Sequence, residues 1–326
     1  MKIAITDRIQ NLGAHQKKFD DLGYEFYFLN SLNENEYSEE ILKQVDAMLV
    51  WHAKITEKTI NHLNNCKIVI RYGIGYDQVD GESLRHKKIP FANNPSYCVE
   101  EVADTTIGML LALTRNISRY NNLARKYKDS WQENHLNSWR SSQRTVGLIG
   151  LGKIGTATAL RLRALNFNVI VYDPYITTSY FKSLNLKRVH TLQELLSTSD
   201  IVSLHCPLTN ETHGLINENF LKLMKQDAVL INTARGKMLK NFDVLYDHLI
   251  NNPDFKVALD VLPEEPPKEH PLIESWCNGA EWLAERLIIN PHNAYFSDAA
   301  SIDQMGDAYF ELVEALSKNK FNNIVN

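Results

Sequence analysis

The chain has 326 residues, 44% of them hydrophobic and 23% charged, which is the composition of a globular protein of about two domains. Its formal net charge of −4 gives no basic surplus for binding nucleic acid, and no apolar run reaches the ~20 residues that cross a membrane. The four cysteines are scattered without a CxxC pair, so we expect reduced thiols in a cytoplasmic protein and no metal site.

In the first hundred residues, short apolar runs alternate with amphipathic stretches. The predicted strands are KIAIT, YEFYFL, AMLVW, KIVIRYG and IPFAN, and helices are expected at 9–22 and 56–64. Continuous apolar runs, as opposed to strict alternation, are typical of parallel strands that are covered on both faces. The pattern therefore predicts a doubly wound α/β unit.

The middle of the chain begins with a stretch at 99–117 in which Glu100 and Glu101 suit the first turn of a helix and the rest is apolar nearly all round. This pattern predicts a helix buried between two domains. Residues 118–144 are polar but contain two tryptophans and several arginines, which indicates a surface excursion or an oligomerisation arm. A second strand series follows: TVGLIGLG, NVIVYD, DIVSLHC, AVLINTA, KVALDVL and LIINPH. Helices are expected near 153–166, 192–197, 217–225, 240–250 and 298–318, and a proline-rich loop at 262–271.

A glycine motif stands between the first strand of this second series and the helix that follows it. Its residues are Gly150, Leu151, Gly152, Lys153, Ile154 and Gly155. Glycines there permit a tight turn and a close approach of the backbone to a pyrophosphate, which the N–H groups at the start of the helix can bind. Asp173 ends the next strand, 18 residues after Gly155, where a carboxylate meets the ribose hydroxyls of NAD. The alternative is that Asp173 only caps the turn before Pro174.

Three side chains of complementary chemistry, Arg235, Glu265 and His292, come directly after strands of the same series. In open parallel sheets, the carboxyl ends of the strands form the ligand-binding edge. An arginine can bind a carboxylate through two hydrogen bonds, and a histidine can donate or accept a proton near neutral pH. A carboxylate paired to an imidazole orients the ring and stabilises its protonated form. Taken singly, each residue could equally be a strand-end charge, a loop acid or a turn histidine.

Seven ordered motifs resemble the D-isomer-specific 2-hydroxyacid dehydrogenase family. They are RYGIGYDQVD, VEEVADTTIGMLLALTR, GLIGLGKIG with YDPY, SLHCPLTNETHGLI, NTARG, ALDVLPEEPP and INPHNAYFS, and the similarity runs from about residue 45 to the C-terminus. Within the family, the chain looks closest to the C-terminal-binding protein branch and is also similar to phosphoglycerate dehydrogenases. The C-terminal-binding proteins carry a tryptophan where this chain has Tyr295.

This resemblance implies two Rossmann-like, doubly wound parallel-sheet domains with an active-site cleft between them. Residues 1–98 and 293–326 would form a flavodoxin-like substrate-binding domain, and 99–292 an NAD-binding domain, with 118–144 as the arm of a homodimer. The implied reaction is D-stereospecific hydride transfer between NAD(H) and a small 2-oxo or 2-hydroxy acid. The alternatives are an NAD(H)-sensing interaction protein of the C-terminal-binding type and a phosphoglycerate dehydrogenase.

The resemblance also implies a role for each candidate site residue. Arg235 would bind the substrate carboxylate and the 2-oxo group, and His292 would be the proton donor. Glu265 would be the partner of His292, with Glu264 as its rival. The remaining substrate contacts would be Gly73, Ile74, Gly75, His52 and Tyr295. The cofactor would contact the glycine motif, Asp173, Cys206, Pro207, Thr212, Thr233, Ala234 and Asp260. Thr106 is a further candidate, and its alternative is a hydroxyl bonded to its own helix backbone.

The far end of the expected substrate pocket would be mostly apolar. Trp51, His52, Ile74 and Tyr295 would line it, and the segment 50–54 contains no arginine. We therefore expect 2-oxo acids with medium apolar or thioether tails to be better substrates than pyruvate, glyoxylate or phosphohydroxypyruvate.

Overall fold

The computed structural model describes residues 1–7, 9, 11–126, 131, 137–283 and 286–326. The chain divides into two compact units: unit 1 is Met1–Cys98 with Ser297–Asn326, and unit 2 is Val99–Phe296. The second boundary follows residue 296, whereas we expected it after residue 292. The physical reason is that the backbone N–H groups of Asn293 and Ala294 both donate to the carboxylate of Asp260, which ties this turn to unit 2.

Unit 1 is built on five parallel strands. These are β1 (Lys2–Ile5), β2 (Glu25–Phe28), β3 (Ala47–Val50), β4 (Ile68–Arg71) and β5 (Phe91–Ala92), in the order β2-β1-β3-β4-β5. The helices are α1 (Gln16–Asp21), α2 (Glu39–Gln44), α3 (Glu57–Ile60), α4 (Gly81–His86) and, from the C-terminal segment, α13 (Asp298–Lys318). This strand order is the flavodoxin-like one.

Unit 2 is built on seven parallel strands. These are β6 (Thr145–Ile149), β7 (Asn168–Tyr172), β8 (Lys187–Arg188), β9 (Ile201–Leu204), β10 (Val229–Asn232), β11 (Lys256–Leu259) and β12 (Leu287–Ile289). The helices are α5 (Val99–Thr114), α6 (Ile117–Ala124), α7 (Lys153–Ala164), α8 (Thr178–Ser183), α9 (Leu192–Thr198), α10 (Glu218–Leu223), α11 (Phe242–Asn251) and α12 (Pro271–Cys277).

The unit 2 strands lie in the order β12-β11-β10-β9-β6-β7-β8, the Rossmann order with one strand added beyond β11. The chain leaves β6 toward β7 on one side, while β9 lies on the other. The loops after β6 and β9 therefore diverge, and ligands bind at such a point in open α/β sheets. Buried apolar side chains fill a core on each face of the sheet, as continuous apolar strands require. Two doubly wound parallel sheets confirm the predicted fold class.

Several elements differ from the sequence expectations. The helices α1 and α3 are both shorter than the helices expected at 9–22 and 56–64. The short elements α2, α4, α6, α8, α12 and β8 were not predicted, because two to eight residues give no clear periodicity. The proline-rich loop ends where α12 begins, with Pro271 in its first turn, a position that needs no backbone N–H.

The two tryptophans of segment 118–144 differ in environment. Trp139 is buried in the unit 2 core, and the guanidinium of Arg144 lies 4.1 Å from its ring centre, so it is not available to a partner. Trp131 is 68% exposed. Residues 127–130 and 132–136 of the expected arm lie outside the described residues. None of the helices that the structure describes is long and apolar enough to cross a bilayer.

Candidate active site

The glycine motif forms the loop between β6 and α7 at the carboxyl edge of the unit 2 sheet. Gly150 has a φ of +98°, and a Cβ there would meet the backbone of His205 at 2.7 Å. A Cβ on Gly155 would lie 2.4 Å from the carbonyl oxygen of Gly150, whereas one on Gly152 would meet no described atom within 4 Å. The rest of the motif is divided between core and surface: Leu151 is buried, Ile154 half-buried and Lys153 exposed. Two glycines thus permit close packing and one faces open space, which fits a pyrophosphate at the start of α7.

Asp173 connects this loop to the segment after β7. One carboxylate oxygen accepts the backbone N–H of Leu151 at 2.8 Å, and the other accepts those of Tyr175 at 2.9 Å and Ile176 at 3.2 Å. Asp173 therefore does hold a turn, as the alternative interpretation supposed. A carboxylate has about four acceptor positions, so three N–H bonds leave capacity for a ribose hydroxyl.

The loop after β9 carries the next group of cofactor candidates. The hydroxyl of Thr212 donates to the carbonyl of Pro207 at 2.7 Å and accepts the N–H of Thr209 at 2.8 Å, so it fixes the loop beside the divergence of β6 and β9. Burial raises the pKa of the Cys206 thiol to about 11, so the side chain is a neutral, half-buried group at pH 7.

Thr106 and Thr233 are hydrogen-bonded to each other, with 2.9 Å between their hydroxyl oxygens. Thr106 also donates to the carbonyl of Val102, one turn back in α5, at 2.7 Å. Because Thr106 is completely buried, the structure supports the alternative interpretation, in which its hydroxyl bonds to its own helix backbone. Its second hydrogen bond, to Thr233, holds that side chain in position.

Arg235 follows β10 in a turn that Asn232 and Gly236 shape. The buried amide of Asn232 donates to the carbonyl of Arg235 at 2.9 Å, and its oxygen accepts the N–H of Ala234 at 3.0 Å. A Cβ on Gly236 would lie 1.8 Å from the carbonyl oxygen of Leu262. Only glycine permits this approach, which brings the Arg235 turn against the segment that leads to Glu265.

Glu265 and His292 form a hydrogen-bonded pair, with Nδ1 of the imidazole 2.7 Å from Oε2 of the carboxylate. Glu264 instead pairs with Lys268 at 2.6 Å, so the geometry distinguishes the two rival glutamates. With Nδ1 directed at the carboxylate, Nε2 is the nitrogen that can exchange a proton with a ligand.

The environment of Glu265 favours its charged form. Burial raises its pKa, but hydrogen bonds from His292 and from the N–H of Leu262, together with the charges of His292 and Arg235, outweigh burial and hold the pKa below its usual value. A fixed anion beside the imidazole stabilises the protonated ring electrostatically. The turn of Arg235 is also linked to Glu265 through the backbone, because Gly236 packs against Leu262, whose N–H donates to the Glu265 carboxylate.

Asp260 organises the turn that carries His292. Its backbone carbonyl accepts the N–H of His292 at 2.9 Å, and its carboxylate accepts those of Asn293 at 3.1 Å and Ala294 at 3.0 Å. Burial raises the pKa of Asp260. His292 has a φ of +54°, a left-handed conformation that is uncommon outside glycine and that clusters at functional sites. The ring of Tyr295 stands perpendicular to that of His292, with centroids 6.4 Å apart.

In unit 1, the candidate substrate loop follows β4. The carbonyl of Gly73 accepts the N–H of Asn94 at 3.2 Å, and that of Ile74 accepts the side-chain amide of Asn93 at 2.7 Å. Within the described residues, the backbone N–H groups of Gly73, Ile74 and Gly75 donate no hydrogen bond. A row of three such donors is suited to binding an anion.

His52 follows the neighbouring strand β3 and rests on a buried carboxylate. Asp7, 3% exposed, accepts the N–H groups of Trp51 at 2.8 Å and His52 at 2.6 Å, and Nδ1 of His52 lies 3.4 Å away. Burial raises the pKa of Asp7, but the hydrogen bonds from His52, Thr6 and Trp51 outweigh burial and lower it.

The sequence interpretation did not include three residues that shape these sites: Asp7, Asn232 and Arg71. A Cβ on Gly73 would lie 2.4 Å from Nη1 of Arg71, so that guanidinium lies against the candidate substrate loop. All three share one signal, a polar side chain at the end of an apolar strand. That signal places a residue at the ligand-binding edge.

Residues 107–294 match the family model described as the D-isomer specific 2-hydroxyacid dehydrogenase, NAD binding domain. A D-3-phosphoglycerate dehydrogenase of Methanocaldococcus jannaschii is 33% identical over 84% of this chain and 51% of its own length. C-terminal-binding protein 1 of Caenorhabditis elegans is 30% identical over 89% of this chain and 40% of its own length. The chain thus spans about half or less of the length of these relatives.

Several solved structures match nearly the whole chain, among them an imino acid reductase and a D-lactate dehydrogenase. An acyclic imino acid reductase (Bsp5), solved with NADPH and D-Arg, has a TM-score of 0.85 and 28% identity, and the match covers 100% of both chains. A D-lactate dehydrogenase from Aquifex aeolicus, solved with NAD and lactic acid, has a TM-score of 0.81 and 28% identity, over 97% of this chain and 96% of the other.

Proposed function

The chain belongs to the D-isomer specific 2-hydroxyacid dehydrogenase family, and we propose that it catalyses reversible hydride transfer between NAD(H) and a D-2-hydroxy acid or its 2-oxo counterpart. The observation that carries this proposal is the Glu265–His292 pair, 2.7 Å apart, beside Arg235 at the edge of the sheet that bears the glycine loop. A cation, a proton donor and a dinucleotide-type loop at one edge are what reduction of a carbonyl next to a carboxylate requires.

Because Nδ1 of His292 is directed at Glu265, the proton is exchanged with the substrate at Nε2. In the direction of reduction, protonated His292 donates the Nε2 proton to the oxygen of the substrate carbonyl, and the anionic Glu265 stabilises the imidazolium before transfer. In the reverse direction, neutral Nε2 accepts the hydroxyl proton. Asp260 keeps the imidazole in place by holding the backbone of its turn.

Substrate binding uses the cations and backbone donors. Arg235 binds the substrate carboxylate and the 2-oxo oxygen through its fork of N–H groups. We assign the three N–H groups at Gly73–Gly75 to binding of the substrate carboxylate, with Arg71 against the same loop, and we propose that unit 1 is the substrate-binding unit. His52 and Tyr295 are proposed to contact the substrate tail.

NAD is the cofactor of the matched domain. The glycine loop would hold its pyrophosphate, Asp173 its adenosine ribose, and the loops at Cys206–Pro207, Thr212 and Thr233–Ala234 the rest of the molecule. When bound, the reduced nicotinamide supplies a hydride to carbon 2 of the substrate.

The test is the rate of NADH oxidation with a panel of 2-oxo acids, measured in the wild type and in His292→Ala. The proposal is supported if the wild type turns over acids with apolar tails and His292→Ala does not. It is contradicted if the wild type turns over none of the acids. A clear preference for phosphohydroxypyruvate would identify the protein as a phosphoglycerate dehydrogenase. The similarity to the Methanocaldococcus jannaschii enzyme is the reason for considering this alternative. NADH binding without turnover identifies an NAD(H)-sensing interaction protein, the alternative suggested by the nematode relative.

A further inference from the structure

Arg188, at the end of the edge strand β8, reaches the segment that carries Asp173. It is in register with Val171 of β7, two residues before the aspartate. A strand rises ~3.3 Å per residue, so an arginine side chain can span this distance. Nη2 donates to the carbonyl oxygen of Asp173 at 3.3 Å, and Nη1 donates to the hydroxyl of Thr178 at 3.1 Å.

The charge of Arg188 is not matched by an acidic partner among the described residues. Its contacts are a carbonyl, a hydroxyl and the face of Phe181, whose ring centre lies 5.1 Å from the guanidinium carbon. Its Nε is buried and has no hydrogen-bond partner in the described part of the chain. A guanidinium is always charged and forms its strongest hydrogen bonds with carboxylates and phosphates, whereas the acceptors of Nη1 and Nη2 here are uncharged.

Asp173 places a negative charge on the same segment. Three backbone N–H groups hold its carboxylate in position, and Glu211 on the loop after β9 adds another carboxylate through its hydrogen bond to Tyr175. In the proposed binding mode, the Asp173 carboxylate meets the ribose hydroxyls. A phosphate on the 2′-hydroxyl would be repelled there by a fixed anion, although the guanidinium of Arg188 contacts the backbone carbonyl of the same residue.

We propose that Arg188 and Thr178 form a binding site for the 2′-phosphate of NADP(H), which the negative charge of Asp173 keeps closed. Binding of the 2′-phosphate would require loss of the Asp173 charge and no new cation, because Arg188 already contacts the segment that carries Asp173. The inference rests on the proposed binding of NAD(H) at this edge of unit 2.

The experiment measures dissociation constants for NADH and NADPH, by calorimetry or by the change in nicotinamide fluorescence, for wild type, Asp173→Asn, Arg188→Gln and the double variant. Asparagine keeps one acceptor oxygen for the turn, and Asp173→Ser is a second way to remove the charge. Melting temperatures show which variants are folded. Lys187→Gln is the matched control, because successive side chains of a strand point to opposite faces.

We expect Asp173→Asn to bind NADPH roughly 10–100-fold more tightly than the wild type, the range of one hydrogen bond to a charged group. Arg188→Gln should abolish the gain in the Asp173→Asn background, whereas Lys187→Gln should preserve it. An equal gain with and without Arg188, or no gain in any folded Asp173 variant, would overturn the inference. Failure of the wild type to bind NADH would instead contradict the proposed function.

Discussion

Replacing Gly236 by alanine probes the contact that joins the Arg235 turn to the Glu265 segment. The new Cβ would lie 1.8 Å from the carbonyl oxygen of Leu262 and 2.1 Å from its carbonyl carbon. Both are backbone atoms, so no side-chain rotation can relieve the overlap, and the segments must separate by roughly 1.5–2 Å to regain van der Waals contact. Because the N–H of Leu262 donates to Glu265, this separation displaces the partner of His292.

We expect Gly236→Ala to lower the free energy of unfolding by about 1–3 kcal/mol, the usual cost of inserting a methyl group into a closely packed site. We also expect kcat to fall by roughly 10²-fold, since a displacement of ~1 Å at catalytic groups costs about that much. Urea denaturation measures the first effect, and steady-state NADH oxidation measures the second.

Two other glycines provide matched controls. Gly108 is exposed in α5, and a Cβ there would meet no described atom within 4 Å, so alanine should stabilise the helix by up to about 1 kcal/mol and leave turnover unchanged. Gly152→Ala should keep the wild-type stability but weaken NADH binding, because its Cβ enters the open face of the glycine loop. Wild-type stability and turnover in Gly236→Ala would refute the reasoning.

Four further outcomes are expected. His292→Ala should lose ~10²–10⁴-fold in kcat with little change in NADH affinity, and near-normal turnover would remove the imidazole from the mechanism. Arg235→Lys should reduce kcat/KM by roughly 10²-fold or more, the cost of losing one hydrogen bond to a charged group, because an ammonium cannot make the two parallel hydrogen bonds of a guanidinium. An unchanged kcat/KM would contradict this. Asp7→Asn should cost about 2–3 kcal/mol at pH 7. Because the folded pKa of Asp7 lies below its ordinary value, the wild-type advantage is present above about pH 4 and fades as pH falls through the folded pKa, and a pH-independent difference would count against that origin. Light scattering should give a dimer at micromolar concentration that Trp131→Ala weakens, and a monomeric wild type would exclude the proposed homodimer.

The longer elements could be predicted because each buries a continuous apolar run. Strands that are apolar on both faces are typical of a parallel sheet covered by helices on each side. The glycine motif identifies where the Rossmann series begins. The amphipathic pattern at 298–318 gave α13 within its observed bounds. The elements α2, α4, α6, α8, α12 and β8 could not be predicted, because short elements such as these depend on caps and neighbours, as Asp80 caps α4 through the N–H of Ser83.

The sequence by itself determined which chemical groups stand after which strands, since strand ends and residue types are local properties. Arg235, Glu265, His292 and Asp173 were all identifiable in this way. Only the tertiary structure decided how those groups are held and which of them meet. It paired His292 with Glu265 and turned Glu264 toward Lys268, buried Trp139 in the core, and brought Arg188 to the carbonyl of Asp173. Glu264 and Lys268 are only four residues apart, but the other contacts join residues distant in the chain. Their approach depends on strand order and register, which no local pattern encodes.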